Sequence, residues 1–331
     1  MGEPLRSSAR FPGLALDAGH YESFYMKASH PSEPVSLWIR YTVHKRPGEA
    51  PQGSLWFTRF DARAEAPWAV KVTTTDVGSG PDHYIHVGDA RLGPGRVAGS
   101  AAAEGREASW DLSFESAEQP FLHLPRDFLY KAKLPRTKLL SPYPDARFSG
   151  SVQVDSETID LDGWRGMIGH NWGAQHAERW IWMHGADFEA HPDAWFDAGL
   201  GRIKLGSRTT PWIGNAVLSL DGVRHRLGGI GSFRRTEVAE SPTAVTFTLP
   251  GKDLTVQGQA GADRKDFVGW IYADPDGSEH NTVNCSVSNM TLTVSRPGHP
   301  PLTLTCSGHA AYELGMREKS HGMPIQPFTD G

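Results

Sequence analysis

Short runs in which apolar and polar side chains alternate recur along most of this chain. Every second residue from Val35 to Val43 is apolar, so these side chains share one face of an extended strand. Glycine- and proline-containing clusters, such as residues 78–81 (GSGP), separate the runs and are typical of turns. With 36 glycines and 24 prolines, the pattern predicts an all-β fold.

The predicted strands form two series, and each series needs a way to hide its sheet edges. Closing into a barrel does this, so we expect two consecutive antiparallel β-barrels of roughly eight strands each; a pair of flat sandwiches is the alternative. The predicted domains are residues 1–176 and 177–331. Residues 117–146 contain five prolines and are interpreted as a long crossing segment with a short helix at 126–132, and 230–235 is predicted as a strand.

Composition and charge indicate which binding partners and which cellular location to expect. The chain of 331 residues has 33 Lys and Arg against 38 Asp and Glu, a formal charge of -5, which does not favour nucleic acid as a partner. Neither a signal peptide nor a membrane-spanning run is evident, so we expect a cytoplasmic protein. The two cysteines, Cys285 and Cys306, are expected to be buried free thiols, with a disulfide across a hairpin as the alternative.

The aromatic residues are most concentrated at 164–185 (WRGMIGHNWGAQHAERWIWMHG). If the residues from Glu178 onward form a strand, one of its faces carries a carboxylate, two indoles and an imidazole. The members of that face are Glu178, Trp180, Trp182 and His184. For the two tryptophans a wall or core role is the alternative to a functional role. Residues 169–173 (GHNWG) are interpreted as permissive backbone between glycines that can approach a ligand closely.

Asp197 lies between Phe196 and Ala198 in the following predicted strand, on the same face as Trp195. Burial would raise the pKa of this carboxyl and make it a proton donor, although a salt bridge to an arginine such as Arg202 is equally open. A set of nearby side chains could supply metal ligands, but their spacing matches no compact metal-binding motif, so we expect no metal. That set is His170, His176, Glu178 and His184.

The chain has no phosphate loop, no dinucleotide fingerprint and no nucleophile elbow, so nucleotide, nicotinamide and serine-hydrolase chemistry are disfavoured and no cofactor is expected. Residues 169–182 (GHNWGAQHAERWIW) resemble the central signature of the carotenoid 1,2-hydratase (hydroxyneurosporene synthase) family. That family lies within a two-domain lipocalin-like (calycin) superfamily that includes tocopherol cyclases and decalin-forming Diels-Alderases. Residues 22–27, 37–42, 312–318 and 326–331 look most like uncharacterised bacterial members.

The resemblance implies two lipocalin-like barrels and a site built from two residue pairs. Its His-x-Trp pair falls on His170 and Trp172, and its aromatic-x-Asp pair falls on Trp195 and Asp197. The family has tyrosine where this chain has Trp195, and an indole lacks the phenolic hydroxyl.

These residue types suit a hydratase or cyclase that protonates or reorganises an alkene in an apolar isoprenoid or polyketide-like substrate. Asp197 would be the acid, His170 its partner, and Trp172, Trp195 and Trp182 would face the carbocation. Trp180, His184 and Glu178 are further candidates for substrate binding. Collecting such a substrate would favour peripheral contact with a membrane. The alternative function is a carrier that holds a lipid or pigment without changing it.

Overall fold

A computed structural model of the protein describes residues 8–325. Antiparallel strands dominate it, and the first sheet contains thirteen of them. They are β1 (His20–Ser29), β2 (Val35–Lys45), β3 (Gln52–Asp61), β4 (Trp68–Thr74), β5 (Val77–Gly78), β6 (Ile85–Val87), β7 (Ala90–Gly93), β8 (Arg96–Ala103), β9 (Arg106–Glu115), β10 (Phe121–Leu122), β11 (Thr137–Val154), β12 (Glu157–Asp160) and β13 (Trp164–Gly173). Their order is β4-β3-β2-β1-β13-β11-β9-β8-β7-β6-β5, and β10 and β12 both pair with β11.

The second sheet has ten strands, in the order β19-β18-β15-β14-β25-β24-β22-β21-β20, with β23 paired to β24. The remaining strands are β14 (Arg179–Phe188), β15 (His191–Arg202), β16 (Lys204–Leu205), β17 (Arg208–Thr209), β18 (Ile213–Leu220), β19 (Val223–Gly228), β20 (Glu237–Ser241), β21 (Ala244–Pro250), β22 (Thr255–Gly261), β23 (Val268–Ala273), β24 (Glu279–Ser295) and β25 (Leu302–Met316). Strands β16 and β17 form a separate hairpin. Short 3-10 helices lie at Phe11–Gly13, Asp127–Tyr130, Ile230–Arg235 and Arg264–Asp266.

Both sheets curl around their own apolar cores. Across the first core, the hydroxyl of Tyr41 in β2 donates to the carbonyl of Arg91 in β7 at 3.2 Å. In the second sheet, Leu227 of the terminal strand β19 bridges to Gly251, directly after β21 near the other end of the sheet. The predicted all-β fold with two successive barrel-like sheets is therefore confirmed. The change of sheet falls between Gly173 and Arg179, while the division into domains at residue 176 stays a prediction.

Three local predictions from the sequence are wrong. Residues 169–173 are regular strand, because β13 pairs with β1 on one side and β11 on the other. Its glycines allow close backbone approach, since a Cβ at Gly166 would collide with the carbonyl of Lys27. The second part of the expected crossing segment, from Thr137, belongs to β11 despite its prolines, and 230–235 is a 3-10 helix in place of a strand.

Other predictions can be compared directly with the described residues. Cys285 and Cys306 are buried free thiols, as predicted. Among residues 8–325, none of the helices has the length and apolar character needed to cross a membrane. The resemblance at 326–331 lies outside the described residues.

The two sheets pack against each other through side chains that point away from both barrel interiors. Tyr25 and Met167 of the first sheet form a buried cluster with Trp182 and Ala311 of the second. At one edge of this contact Arg165 connects the sheets. Its Nε donates to Asp145 at 2.6 Å and its Nη1 to Asp187 at 3.0 Å.

Candidate functional site

A cavity of about 150 Å³ lies between the two sheets. Its wall combines aromatic side chains with a few polar ones. Those that matter for chemistry are Tyr25, Arg40, His123, Asn171, Trp180 and Trp182. The first sheet supplies Tyr25, Arg40 and Asn171, His123 directly follows β10, and the second sheet supplies the two tryptophans, so neither sheet alone forms the site.

Strand periodicity explains the aromatic wall. In β14 every second side chain, Ile181 and Met183, enters the core of the second barrel, so Trp180 and Trp182 point the other way and line the cavity. Two glycines leave room for the rings. A Cβ at Gly169 would collide with the ring of Tyr25, and one at Gly315 would collide with the indole of Trp180.

Asp197 lies in a fully buried hydrogen-bond network beside this cavity. Its Oδ2 accepts a hydrogen bond from Ser141 Oγ at 2.5 Å and lies 3.4 Å from His123 Nε2. His123 Nδ1 donates to the carbonyl of Asn215 at 3.1 Å, and Nε2 is 3.1 Å from Ser141 Oγ. Nε2 thus faces Ser141 and the Asp197 carboxylate. If the ring carries both protons, the N–H at Nε2 points toward these two groups. His123 lines the cavity, so it connects Asp197 to the space that a ligand would occupy.

The expectation that burial raises the pKa of Asp197 is wrong. Burial does favour the neutral acid, but the charge and hydrogen bond of His123, with a contribution from His184, outweigh it and lower the pKa of this carboxyl. Arg202 is not the partner, since its Nε donates to the carbonyl of Thr210. Asp197 is therefore ionised. It can stabilise a proton that is held on His123, or accept that proton.

Another carboxylate is fixed on the cavity wall by three donors. Glu313 accepts hydrogen bonds from Trp180 Nε1 at 2.9 Å, Tyr272 Oη at 3.1 Å and Asn284 Nδ2 at 3.0 Å. It therefore places a carboxylate beside the indole of Trp180 on the cavity wall.

Several polar atoms of the wall have no hydrogen-bond partner among residues 8–325. They are Arg40 Nη1, Asn171 Oδ1 and the indole Nε1 of Trp182. Tyr25 contributes a phenol whose pKa is raised well above its ordinary value by burial and by the charges of Asp197 and Glu313, so it stays protonated and can donate. Unpaired buried polar groups are rare in proteins, so their convergence on one cavity indicates a ligand with polar atoms of its own.

The structure places His170 and Trp172 away from this cavity. Asn171 lines the cavity, so its two neighbours in β13 point to the opposite face. His170 is fully buried, stacks on Phe24 at 3.8 Å, and contacts Glu22 Oε1 through Nε2 at 2.7 Å. Trp172 stacks on His170 with ring centroids 4.4 Å apart.

Glu22 is held ionised in this inner pair. Burial raises its pKa, but hydrogen bonds from His170 and His20 outweigh that effect and lower the pKa to about 2. Two backbone amides, of Arg10 and Phe11, also donate to the carboxylate at 2.8 and 3.0 Å.

The remaining predicted residues, Trp195, His184 and Glu178, do not line the cavity. Trp195 is buried and its Nε1 donates to Glu118 at 3.1 Å. His184 lies opposite Asp197 in the register of β14 and β15, donates from Nε2 to the carbonyl of Pro144, and has a pKa lowered to about 4 by burial. Glu178 precedes β14 and lies 3.6 Å from Arg317. Of the eight predicted site residues, Trp180 and Trp182 line the cavity and Asp197 reaches it through His123.

His123, Tyr25 and Arg40 are not among the site residues predicted from the sequence. His123 lies in the segment interpreted as a crossing, where no periodicity assigns a direction to a side chain. For Arg40 a signal existed. The apolar alternation of β2 places Arg40 on the face opposite Ile39, away from the core of the first barrel. A charged side chain on that face of a strand buried along its whole length indicates contact with another layer.

The set considered for a metal from the sequence is not assembled. His170 and His184 have the separate partners described above, whereas His176 lies with Asp274 and His280, two residues that the sequence did not connect to it.

No family model matches the chain. An uncharacterized protein of Mycobacterium tuberculosis strain H37Rv is 24% identical over 323 residues, a match that covers 94% of this chain and 90% of that protein. Its counterpart from strain CDC 1551 matches to the same extent.

Solved structures with the same fold cover nearly the whole chain at low identity. An AttH-like protein of Nitrosomonas europaea is 13% identical with a TM-score of 0.52, covering 94% of this chain and 97% of that one. Kievitone hydratase of Nectria haematococca is 10% identical with a TM-score of 0.53, covering 90% and 89%. CghA, solved with Sch210972, is 12% identical with a TM-score of 0.57, covering 98% and 95%. The chain thus has a lipocalin-like fold of two successive barrel-like sheets, and its kinship to carotenoid hydratases stays a prediction.

Proposed function

We propose that the protein is an enzyme of the hydratase or cyclase type that acts in the cavity between the two sheets. The observation that carries the proposal is the buried Asp197, Ser141 and His123 network that meets an aromatic-walled cavity. An acid-base pair beside an aromatic wall suits the protonation or reorganisation of a double bond. Two structures of the same fold are named a hydratase and CghA with its ligand Sch210972, which agrees with small-molecule chemistry on this scaffold.

The geometry changes the roles assigned from the sequence. Since Asp197 is ionised, the proton donor is the imidazolium of His123, and Asp197 stabilises that charge. Both ring nitrogens contact protein groups, and hydrogen bonds of this kind often rearrange only when the substrate is bound. Proton transfer from His123 to one alkene carbon leaves a carbocation on the other, which the indole faces of Trp180 and Trp182 and the carboxylate of Glu313 would stabilise.

The reaction then closes in one of two ways. In hydration, a water oxygen bonds to the cationic carbon and a proton of that water returns to His123. In cyclisation, a nucleophile within the substrate bonds to the same carbon and its proton, or one from an adjacent carbon, returns to His123. Either way the enzyme ends in its starting protonation state.

The wall also indicates the substrate class. A cavity of about 150 Å³ suits a compact ring system or one end of a chain better than a whole polyene. The unpaired polar atoms of Arg40, Asn171 and Trp182 call for a substrate that carries oxygen atoms as well as apolar surface. We therefore favour an oxygenated isoprenoid or polyketide-like molecule.

One observation favours a second candidate, a carrier that binds such a molecule without changing it. Both ring nitrogens of His123 contact groups of the protein, as they would in a purely structural network. Turnover separates the two candidates. Incubation with oxygenated isoprenoids and polyketides, followed by extraction and mass spectrometry, should reveal either a product heavier by one water or an isomer of altered retention.

Variants assign the product to the site. Asp197→Asn and His123→Gln should abolish the product. Asp193→Asn is the matched control because it changes an exposed carboxyl of the same strand and should leave turnover intact. Recovery of only unchanged, tightly bound ligand from the wild-type protein would favour the carrier. Wild-type turnover by the Asp197→Asn protein would show that the assigned pair is wrong.

A further inference from the structure

Three donor side chains from separate parts of the chain meet where the connection between the two sheets crosses the second sheet. His176 belongs to that connection, between β13 and β14. Asp274 directly follows β23, and His280 lies near the start of β24. One ligand atom from each lies within 4.8 Å of the other two, and within residues 8–325 they are the one cluster of three His, Cys, Asp or Glu side chains with this spacing.

The cluster is almost completely closed off from solvent. The side chains of Asp274 and His280 are 0% exposed and that of His176 is 8% exposed. His176 Nδ1 lies 2.8 Å from Asp274 Oδ1, and His280 Nδ1 lies 3.6 Å from Asp274 Oδ2. The first contact has the length of a hydrogen bond and the second reaches the other carboxylate oxygen, so a metal ion bound through these atoms would replace the hydrogen bond between His176 and Asp274.

The imidazoles of this cluster have unused nitrogens. Within the part of the chain that the structure describes, neither ring nitrogen of His280 has a hydrogen-bond partner of good geometry, and His176 Nε2 has none either. A neutral imidazole carries one N–H and one lone pair, and both normally find partners when the ring is buried. Leaving both nitrogens of His280 unpaired is therefore unfavourable. A bound metal ion would use such a lone pair.

Surrounding groups fix the donors in place, as they do around known metal ligands. Asp274 Oδ1 accepts a hydrogen bond from the backbone amide of His176 at 2.7 Å, and Asp274 Oδ2 accepts one from Ser278 Oγ at 3.2 Å. The ring of Tyr21 stacks on His176 at 3.7 Å. Arg317 lies 3.8 Å from Asp274 Oδ2, and its charge is balanced by Glu178 at 3.6 Å.

We propose that His176, Asp274 and His280 bind a divalent transition-metal ion of the Zn²⁺ class. Two imidazole nitrogens and one carboxylate oxygen suit Zn²⁺, whereas Mg²⁺ and Ca²⁺ prefer oxygen ligands throughout. Three protein ligands leave a fourth position for water or another ligand. The ion would tie the connection between the sheets to β23 and β24, a role that does not depend on the proposed function of the cavity.

Zinc binding to the purified full chain tests the proposal. After treatment with a chelator and its removal, native mass spectrometry and isothermal titration with ZnCl₂ should show one Zn²⁺ per chain. His280→Gln and Asp274→Asn should each weaken this binding by at least about 100-fold, since even groups outside the ligand set typically contribute 10–100-fold. His184→Gln is the matched control, because His184 is equally buried, on the same sheet, and outside the cluster; its binding should equal that of the wild type.

Two results would overturn the site, and neither depends on turnover. One is the failure of the wild-type protein to bind Zn²⁺ in either measurement, which needs no variant to be stable. The other is equal binding by the wild type and by both cluster variants, each checked by circular dichroism for a native β spectrum. Loss of catalytic activity plays no part in either outcome, so failure of the proposed function would leave this test unaffected.

Discussion

Replacing Glu22 by glutamine should destabilise the protein strongly, although this carboxylate lies on the face of the first sheet turned away from the cavity. Its folded pKa of about 2, against an ordinary value of 4.5, is a difference of ~2.5 units, or ~3.4 kcal/mol at 1.36 kcal/mol per unit. The glutamine keeps one acceptor oxygen and so retains part of the network with His170 and the backbone amides of Arg10 and Phe11. We therefore expect a loss of ~2–3 kcal/mol in the free energy of unfolding at pH 7.

The pH dependence gives the same test a definite sign. The folded pKa of Glu22 is depressed, so its stabilising contribution is fully present above about pH 4.5 and is lost as the pH falls toward about 2. The wild-type protein should lose this contribution over that window, and the Glu22→Gln protein should lack that part of the slope. Urea unfolding followed by tryptophan fluorescence at several pH values measures both quantities.

Glu157→Gln is the control for this prediction. Glu157 pairs with Arg59 but is 57% exposed, and exposed pairs contribute ~0–1 kcal/mol, so this change should have little effect at any pH. A loss below about 1 kcal/mol for Glu22→Gln at pH 7, or an unchanged slope between pH 4.5 and 2, would refute the account of an inner structural pair.

Three further predictions concern the cavity and the contact between the sheets. Tyr25→Phe keeps the ring and removes one cavity donor, so turnover should fall by about 100-fold with unfolding unchanged; equal turnover would remove Tyr25 from the site. Gly169→Ala should lower both stability, by ~1–3 kcal/mol, and turnover, because the new Cβ displaces the Tyr25 ring; a melting temperature and rate like those of the wild type would contradict this. Arg165→Met leaves the carboxylates of Asp145 and Asp187 without their shared cation and should cost ~3–5 kcal/mol in denaturant unfolding; a loss below about 1 kcal/mol would show that the ion pairs contribute little.

Strand content and the closing of two sheets could be predicted because alternation is a local property. Val35 to Val43 shows its buried face in the sequence itself, and that face does enter the first core. The strand at 164–173 was not predicted because its glycines suggest turns. In the structure these glycines instead leave room for Lys27 and Tyr25 of the neighbouring strand. Only the pairing partner makes that distinction.

The site was harder to predict because its parts meet across long sequence separations. Asp197 was found from its apolar neighbours, but its partner His123 lies 74 residues earlier and Ser141 lies 56 residues earlier, in a segment without readable periodicity. Likewise, His176 and Asp274 are 98 residues apart. Which residues of the two outer faces meet depends on how two finished barrels pack, and no local pattern encodes that pairing.

A crystal structure of the Asp197→Asn protein with a bound substrate, or with an apolar ligand that co-purifies, tests the central claim most directly. The account predicts the ligand between the two sheets, with its apolar part against Trp180 and Trp182 and an oxygen within hydrogen-bond distance of Arg40 or Tyr25. A ligand inside the first barrel, in contact with His170 and Phe24, would contradict the account.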